Sequence, residues 1–296
     1  MIVNKHDRLV TQTVLNIVFV VLCILFLAPF ILVVSISLSN EKDIILNGYS
    51  FFPKHIDLSA YEYVFNNPKS VINAYMVTIF TTVAGTALSV FLMSLMAYPL
   101  SRSSLKGRRG VSFYLFFTML FNGGMAPTYI LITQYLHLGD TLWVYILPGL
   151  INAWHVFLLR TFFSRLPESI VESAILDGAG EYKIFYSMIL PLSKPVLATV
   201  ALLGALARWN DWFTSMLYIN KDNLVTLQYL LQKIMLNIQL MQQQTEHASM
   251  LMNVSDIPSE TARMAMAVIA AGPMLLVFPF FQKYFVQGLT VGSVKG

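Results

Sequence analysis

Charge is what this sequence has least of. Only 11% of its 296 residues are Asp, Glu, Lys or Arg, against 56% apolar. Soluble domains carry about 25% charged residues, so a freely soluble fold is excluded. Cysteine is nearly absent, and Cys23 alone permits neither a disulfide framework nor a thiolate metal site. The five histidines (His6, His55, His137, His155 and His247) are scattered, with no second His or carboxylate at metal-ligand spacing. No Gly-x-Ser-x-Gly, His-Glu-x-x-His or Gly-x-x-x-x-Gly-Lys-[Ser/Thr] occurs, so the chain offers no nucleophile elbow, zinc-protease helix or phosphate loop. An enzyme would need a convergent catalytic set, and none is present. No period of about 20–50 residues repeats, which excludes a solenoid. The alternation over about ten residues that marks a barrel strand is also missing.

Long apolar runs are present instead. Six of them reach or exceed the roughly 18 residues that read as a membrane helix, at 14–38, 71–100, 111–133, 141–159, 195–218 and 265–282. Backbone groups in hydrocarbon must be satisfied within the segment, which leaves helices. The sequence therefore predicts an all-α, multi-pass membrane protein with one transmembrane domain over 1–296. The first run exceeds the roughly 7–15 apolar residues of a cleaved signal peptide and is expected to be retained. Twelve of the nineteen basic residues fall at the two termini and in the loops after the second and fourth runs. The positive-inside rule puts that side, and both termini, in the cytoplasm. The net charge of +4 thus reflects topology, and no nucleic-acid partner is expected. Two longer outer excursions, 40–70 and 219–261, either meet a soluble partner or pack over helix ends.

One polar insert stands out, at 167–193 between the fourth and fifth runs. Pro167 suits a helical first turn, and Glu168 and Glu172 are favourable near a helix N-terminus. Ile170, Val171, Ala174 and Ile175 make an apolar stripe, and Asp177-Gly178 permits a sharp turn. A second short helix follows from Glu181 to the stop at Pro191. Helices that lie on lipid favour Lys and Arg, whereas this one is mostly acidic. It suits a basic protein groove.

The outer end of the fifth run reads Arg208-Trp209-Asn210-Asp211-Trp212. On a continuous helix Arg208 and Asp211 share a face and can pair. The run is either an interfacial aromatic anchor with a local ion pair or a polar, aromatic wall of a translocation cavity. Asn122-Gly123-Gly124 breaks the third run, as expected where a span lines a cavity or is buried in protein. His155, inside the fourth run, is expected to be a neutral imidazole bonded to a neighbouring helix.

At the polar insert the chain resembles the permease subunits of bacterial ATP-binding-cassette importers. Their cytoplasmic loop carries Glu-Ala-Ala, three residues, Gly, nine residues, Ile, one residue and Leu-Pro. Glu172-Ser173-Ala174, Gly178, Met188 and Leu190-Pro191 stand at those positions, with Ser173 and Met188 as departures. The resemblance implies a coupling helix at Glu172, Ser173, Ala174, Asp177, Gly178, Leu190 and Pro191 that docks on an ATPase subunit. Trp209-Asn210-Asp211 and the ending Gly288-Leu289-Thr290-Val291-Gly292-Ser293-Val294-Lys295-Gly296 are similar to carbohydrate-importer permeases of the maltodextrin type. The Gly-Gly-Met-x-Pro-Thr-Tyr run at 123–129 and Gln282-Lys283-Tyr284-Phe285-Val286 resemble a branch for complex oligosaccharides. The implied partners are a second homologous permease, two ATPase subunits that bind ATP and Mg, an extracellular solute-binding protein, membrane lipid and an oligosaccharide. No cofactor of the chain's own is implied, and the expected location is the bacterial plasma membrane. Arg208, Trp209, Asn210, Asp211, Trp212 and Asn122 become the expected substrate pathway. An importer of another solute, such as peptides or amino acids, would share the coupling loop. A stand-alone secondary carrier would not need it.

Overall fold

The computed structural model describes residues 5–247 and 258–290, with side chains from 11–241, 258–280 and at 282. Among the described residues every regular element is a helix, apart from an isolated antiparallel bridge between Ser39 and Ile56. The first seven α-helices are α1 (Lys5–Ser37), α2 (Glu41–Asn47), α3 (Ser59–Val64), α4 (Pro68–Ser101), α5 (Arg108–Leu120), α6 (Met125–Ile130) and α7 (Ala153–Phe163). They are followed by α8 (Glu168–Leu176), α9 (Glu181–Ile184), α10 (Leu190–Leu192), α11 (Lys194–Trp209), α12 (Phe213–Tyr218), α13 (Leu227–His247) and α14 (Glu260–Thr290). The expected C-terminal motif at 288–296 lies outside the described side chains, and its last six residues lie outside the described backbone.

Among the described residues three helices are long and apolar enough to cross a bilayer: Thr11–Ser37, Pro68–Ser101 and Glu260–Phe280. Two bent pairs also qualify, Arg108–Leu120 with Met125–Tyr135 at 111° and Glu181–Leu192 with Lys194–Trp209 at 78°. Sequence analysis gave six runs, and the fourth, 141–159, does not form one continuous helix. It starts as a 3-10 turn at Leu142–Tyr145 and runs irregularly to Asn152, where α7 begins. Pro148 cannot donate a backbone hydrogen bond, and Gly149 beside it weakens a helix further. Asn152 then caps α7 by accepting from the His155 N–H at 3.1 Å.

The chain divides into two compact units, Met1–Pro68 with Lys233–Gly272, and Lys69–Gln232 with Pro273–Gly296. In the first unit, α1 leaves most of its large apolar side chains from Val14 to Val34 exposed, while Ile36 in its last turn is buried. A helix apolar on all sides and uncovered by protein fits hydrocarbon. After it, Asn40 caps α2 and bonds Asp57. Glu41 is buried and takes hydrogen bonds from the Ser259 and Thr261 hydroxyls and the Glu260 and Thr261 N–H groups, at 2.6–3.0 Å. These are unsatisfied donors at the start of α14, where a carboxylate is favoured. Burial pushes the Glu41 carboxyl up, but these donors outweigh it and hold the group below its usual range.

The second unit is organised on α4. At about 1.5 Å per residue its 34 residues span roughly 51 Å, well beyond the approximately 30 Å of hydrocarbon. Its C-terminal end carries Met93, Ala97, Tyr98 and Leu100 into a buried cluster with Val156, Leu159 and Phe163 of α7. Val171 and Ala174 of α8, Ile184 of α9, Phe185 and Ile189 just after it, and Val196 and Val200 of α11 belong to the same cluster. The polar insert is therefore built into the core of the membrane helices. It is no tether.

Candidate coupling elbow and translocation cavity

The insert forms two short helical legs, as its sequence suggests. Pro167 sits at the N-cap of α8, one position before the first turn. Of the apolar stripe only Val171 and Ala174 are buried, while Ile175 is half exposed and Leu176 is 88% exposed. Leu176 therefore points away from the core, and the exposed face is apolar as well as acidic. Glu172, Ser173, Asp177 and Gly178 are all exposed on it.

The turn between the legs is a Schellman motif. The Ala179 N–H bonds the Ala174 carbonyl and the Gly178 N–H bonds the Ile175 carbonyl, both at 2.9 Å. Gly178 has φ +77°, the left-handed region that glycine adopts without a Cβ penalty. The second leg ends at Leu192, one residue past the stop expected at Pro191. It opens into a π turn over Phe185–Ile189 and continues as α10 through Pro191. A π turn relaxes the i→i−4 ladder just where proline removes a donor. The Tyr98 hydroxyl donates to the Glu181 carboxylate and ties this leg to α4. A cavity of about 680 Å³ lies alongside, between the end of α4, Arg102–Lys106 of the following loop, and Glu181 to Phe185.

The expected Arg208–Asp211 ion pair does not form. α11 ends at Trp209, so the two residues do not share a helical face. Asp211 accepts the Thr214 N–H at 3.0 Å and starts α12. Arg208 turns back between α4 and the 146–152 segment, donating from Nη2 to the Ser89 hydroxyl at 2.6 Å and the Gly149 carbonyl at 2.8 Å. Nη1 reaches the Gly204 carbonyl at 3.5 Å. The slot is glycine-walled: a Cβ on Gly85 would stand 2.5 Å from Nε of Arg208. A cavity of about 100 Å³ borders the guanidinium, lined also by Thr86, Asn152 and His155.

The other expected pathway residues separate. Trp209 is buried, whereas Trp212 is 40% exposed and meets Phe213 edge-on. Asn210 bonds the Leu206 carbonyl and Gln228. Asn122 accepts the Gly124 N–H at 2.9 Å, which with φ +87° at Gly124 shapes the break between α5 and α6. It lies outside the Arg208 cavity.

Sequence reasoning overlooked the hydroxyl face of α4. Thr78, Thr82, Thr86 and Ser89 recur every three or four residues and are all buried. Small hydroxyls at that spacing mark a helix that others approach closely, and this signal was available. Thr78 accepts the Leu227 N–H at 2.8 Å, and Ser89 holds Arg208. The buried Tyr145–Ser215 bond, 2.7 Å, joins the 3-10 turn to α12. On the loop before that turn, Asp140 caps the backbone of Asn220 and Lys221, and the Asn220 N–H in particular holds its carboxyl below the usual range.

Helices long and apolar enough to cross a bilayer are joined here to an elbow that shares their core. No protein-family model matches the chain. The polygalacturonan/rhamnogalacturonan transport system permease protein YtcP of Bacillus subtilis (strain 168) is 40% identical over 278 residues, covering 94% of each chain. Protein LplC of the same organism is 40% identical over 268 residues, 90% of this chain and 89% of that one. The crystal structure of a bacterial ABC transporter involved in the import of the acidic polysaccharide alginate contains a chain that matches with TM-score 0.78 and 31% identity, over 96% of this chain and 99% of that one. The chain belongs to the family of ABC transport system permease proteins.

Proposed function

We propose that this chain is one of two membrane subunits of a bacterial importer that carries oligosaccharides across the plasma membrane, driven by ATP hydrolysed on separate subunits. Six crossings with both termini in the cytoplasm follow from the basic loops, the fourth being made by Leu142–Tyr145, the irregular run and α7 together. ATP and Mg belong to two partner ATPases, since this chain has no phosphate loop. A second homologous permease completes the pathway, and an extracellular binding protein delivers the sugar. The sugar class is supported by the names of the relatives, which include an arabinooligosaccharides permease, AraQ, at 29% identity over 97% of this chain.

One observation carries the coupling role. Val171 and Ala174 are buried in the cluster that holds α4, α7 and α11 together, while Glu172, Leu176 and Asp177 face outward from the same helix. A push on the exposed face must move the membrane helices, because the opposite face is part of their core. The elbow is a lever. Glu172→Lys reverses an exposed charge without touching the core, and Gly178→Ala places a Cβ at φ +77°, at a cost of about 1–2 kcal/mol. In proteoliposomes holding the whole importer, Glu172→Lys should lower oligosaccharide uptake at least tenfold and abolish stimulation of the ATPase by the binding protein. Wild-type uptake by that variant would sink the lever.

A further inference from the structure

Arg102, Lys106, Arg108 and Arg109 follow α4 closely, and the first two stand on the wall of the cavity beside the second elbow leg. Among the described residues neither Arg102 nor Lys106 is in an ion pair, and Nε of Arg102 is buried without an acceptor. The one acid of the lining, Glu181, already accepts the Tyr98 hydroxyl. Much of the remaining wall is apolar, from Leu95 and Pro99 of α4, Leu105 of the loop and Phe185 of the leg. The cavity, about 680 Å³, is open rather than enclosed and falls in the roughly 300–1,000 Å³ range of small-ligand sites. Leu95 precedes Arg102 by seven residues, about 10 Å along a helix. The headgroup layer on one side of a bilayer is about 5–8 Å thick. With Arg102 among headgroups, the same wall reaches hydrocarbon at Leu95.

We infer that this cavity binds an anionic phospholipid of the cytoplasmic leaflet. The phosphate meets Arg102 and Lys106, and the start of an acyl chain lies along Leu95, Leu105 and Phe185. Basic pockets between membrane helices on the cytoplasmic side hold such headgroups, and the planar guanidinium suits a phosphate. A water-soluble phosphate would satisfy the cations but leave the apolar wall in water. A zwitterionic lipid would bring a further cation to a wall that already carries two. The anionic lipid matches both the charge and the apolar surface, and its chain ends stay in the bilayer through the open side. No residue of α8 lines the cavity, so the acidic face proposed to dock the ATPase stays free. The bound lipid touches a membrane helix, the basic loop and the elbow together. The cytoplasmic placement of that loop comes from the import reading above, whereas the identity of the cargo does not enter.

The test reads lipid binding and not transport, so its failure is distinct from failure of the import function. The full-length protein, purified in mild detergent with its partner subunits, is titrated with phosphatidylglycerol carrying a fluorescent chain end. Phosphatidylcholine with the same chains and water-soluble glycerol phosphate serve as competitors. Phosphatidylglycerol should bind at least tenfold tighter than phosphatidylcholine, and millimolar glycerol phosphate should not displace it. Arg102→Gln and Lys106→Gln should each weaken binding at least fivefold. Leu105→Ser, which removes an exposed apolar side chain of the lining and no charge, should weaken it about threefold. Arg109→Gln removes one exposed charge from the same stretch but off the lining, and should leave binding unchanged. An equal loss in Arg109→Gln overturns the site in favour of a general basic surface. Displacement by glycerol phosphate overturns the lipid in favour of a soluble phosphate, and equal affinity for the two lipids overturns the role of the cations.

Discussion

A methyl group on Gly85 would stand 2.5 Å from Nε of Arg208 and 2.9 Å from its Cδ, closer than real Cβ atoms come. Gly149 and Gly204 border the same guanidinium at 3.7 and 3.5 Å from their ideal Cβ positions. Glycine costs α4 about 1 kcal/mol of helix propensity at position 85, and the space for an arginine is what that cost obtains. Gly85→Ala should therefore act on Arg208 rather than on α4. Overpacking of this kind costs about 1–3 kcal/mol, and the flexible arginine yields before the backbone does. The expected outcome is slower oligosaccharide uptake by the whole importer at equal amounts of protein in the membrane, while the midpoint of thermal unfolding in detergent shifts by only a few degrees. Wild-type uptake in Gly85→Ala would show that the placement of the guanidinium in this slot does not matter to transport.

Among the elements, α14 depends on a residue 219 positions away from its start. Glu41 accepts four hydrogen bonds at that helix's N-terminus, and hydrogen bonds to charged groups contribute about 1.5–3 kcal/mol each. Its carboxyl titrates below the usual 4.5 in the folded chain. A depressed folded value means that the stabilisation is complete above about pH 4.5 and is lost as the pH falls through the lower folded value. Tyr49 and Arg263, which both meet Glu260, are the other ionisable groups at this joint. Glu41→Gln should lower thermal stability at pH 7 and flatten its dependence on pH below about 4.5, as read by thermal inactivation of the detergent-solubilised protein. The same paucity of charge that made long apolar helices legible hid where they break. α1, α4 and α14 follow their hydropathy and continue as helix through Pro29, Pro99, Pro273 and Pro279. The 141–159 run does not: it is irregular from 146 to 152, around Pro148-Gly149, a break that an average over nineteen residues obscures. At 210–212 the deciding contact is Asp211 on the Thr214 N–H, which ends one helix and starts another. An i,i+3 pair with Arg208 presumes a continuous helix, so it was the wrong inference from the right residues. The elbow was legible because proline, glycine and acids lie close together in sequence. The slot was not, because its walls come from α4, residue 149 and α11.

For the whole molecule the decisive property is what it leaves uncovered. The most apolar 18-residue window of α1 has none of its residues buried, and that of Glu260–Phe280 only 17%. Lipid can cover both faces, but lipid cannot cover the elbow, where exposed Leu176 stands among exposed Glu172 and Asp177. An apolar side chain flanked by two acids suits the proposed docking on a protein groove with basic walls. A secondary carrier would have no use for such a feature, and its uptake would follow an ion gradient alone. The two cases separate in proteoliposomes. This chain alone should import no oligosaccharide under a proton or sodium gradient, with or without ATP. Uptake should appear only when the second permease, the ATPases and the binding protein are all present, and should then require ATP. Leu176→Glu, which adds one more acid to the exposed face and leaves Val171 and Ala174 in place, should weaken co-purification of the ATPases with the membrane subunits at least tenfold. Gradient-driven uptake by the chain alone would remove the need for partners. Undiminished co-purification by Leu176→Glu would move the docking surface elsewhere on the cytoplasmic side.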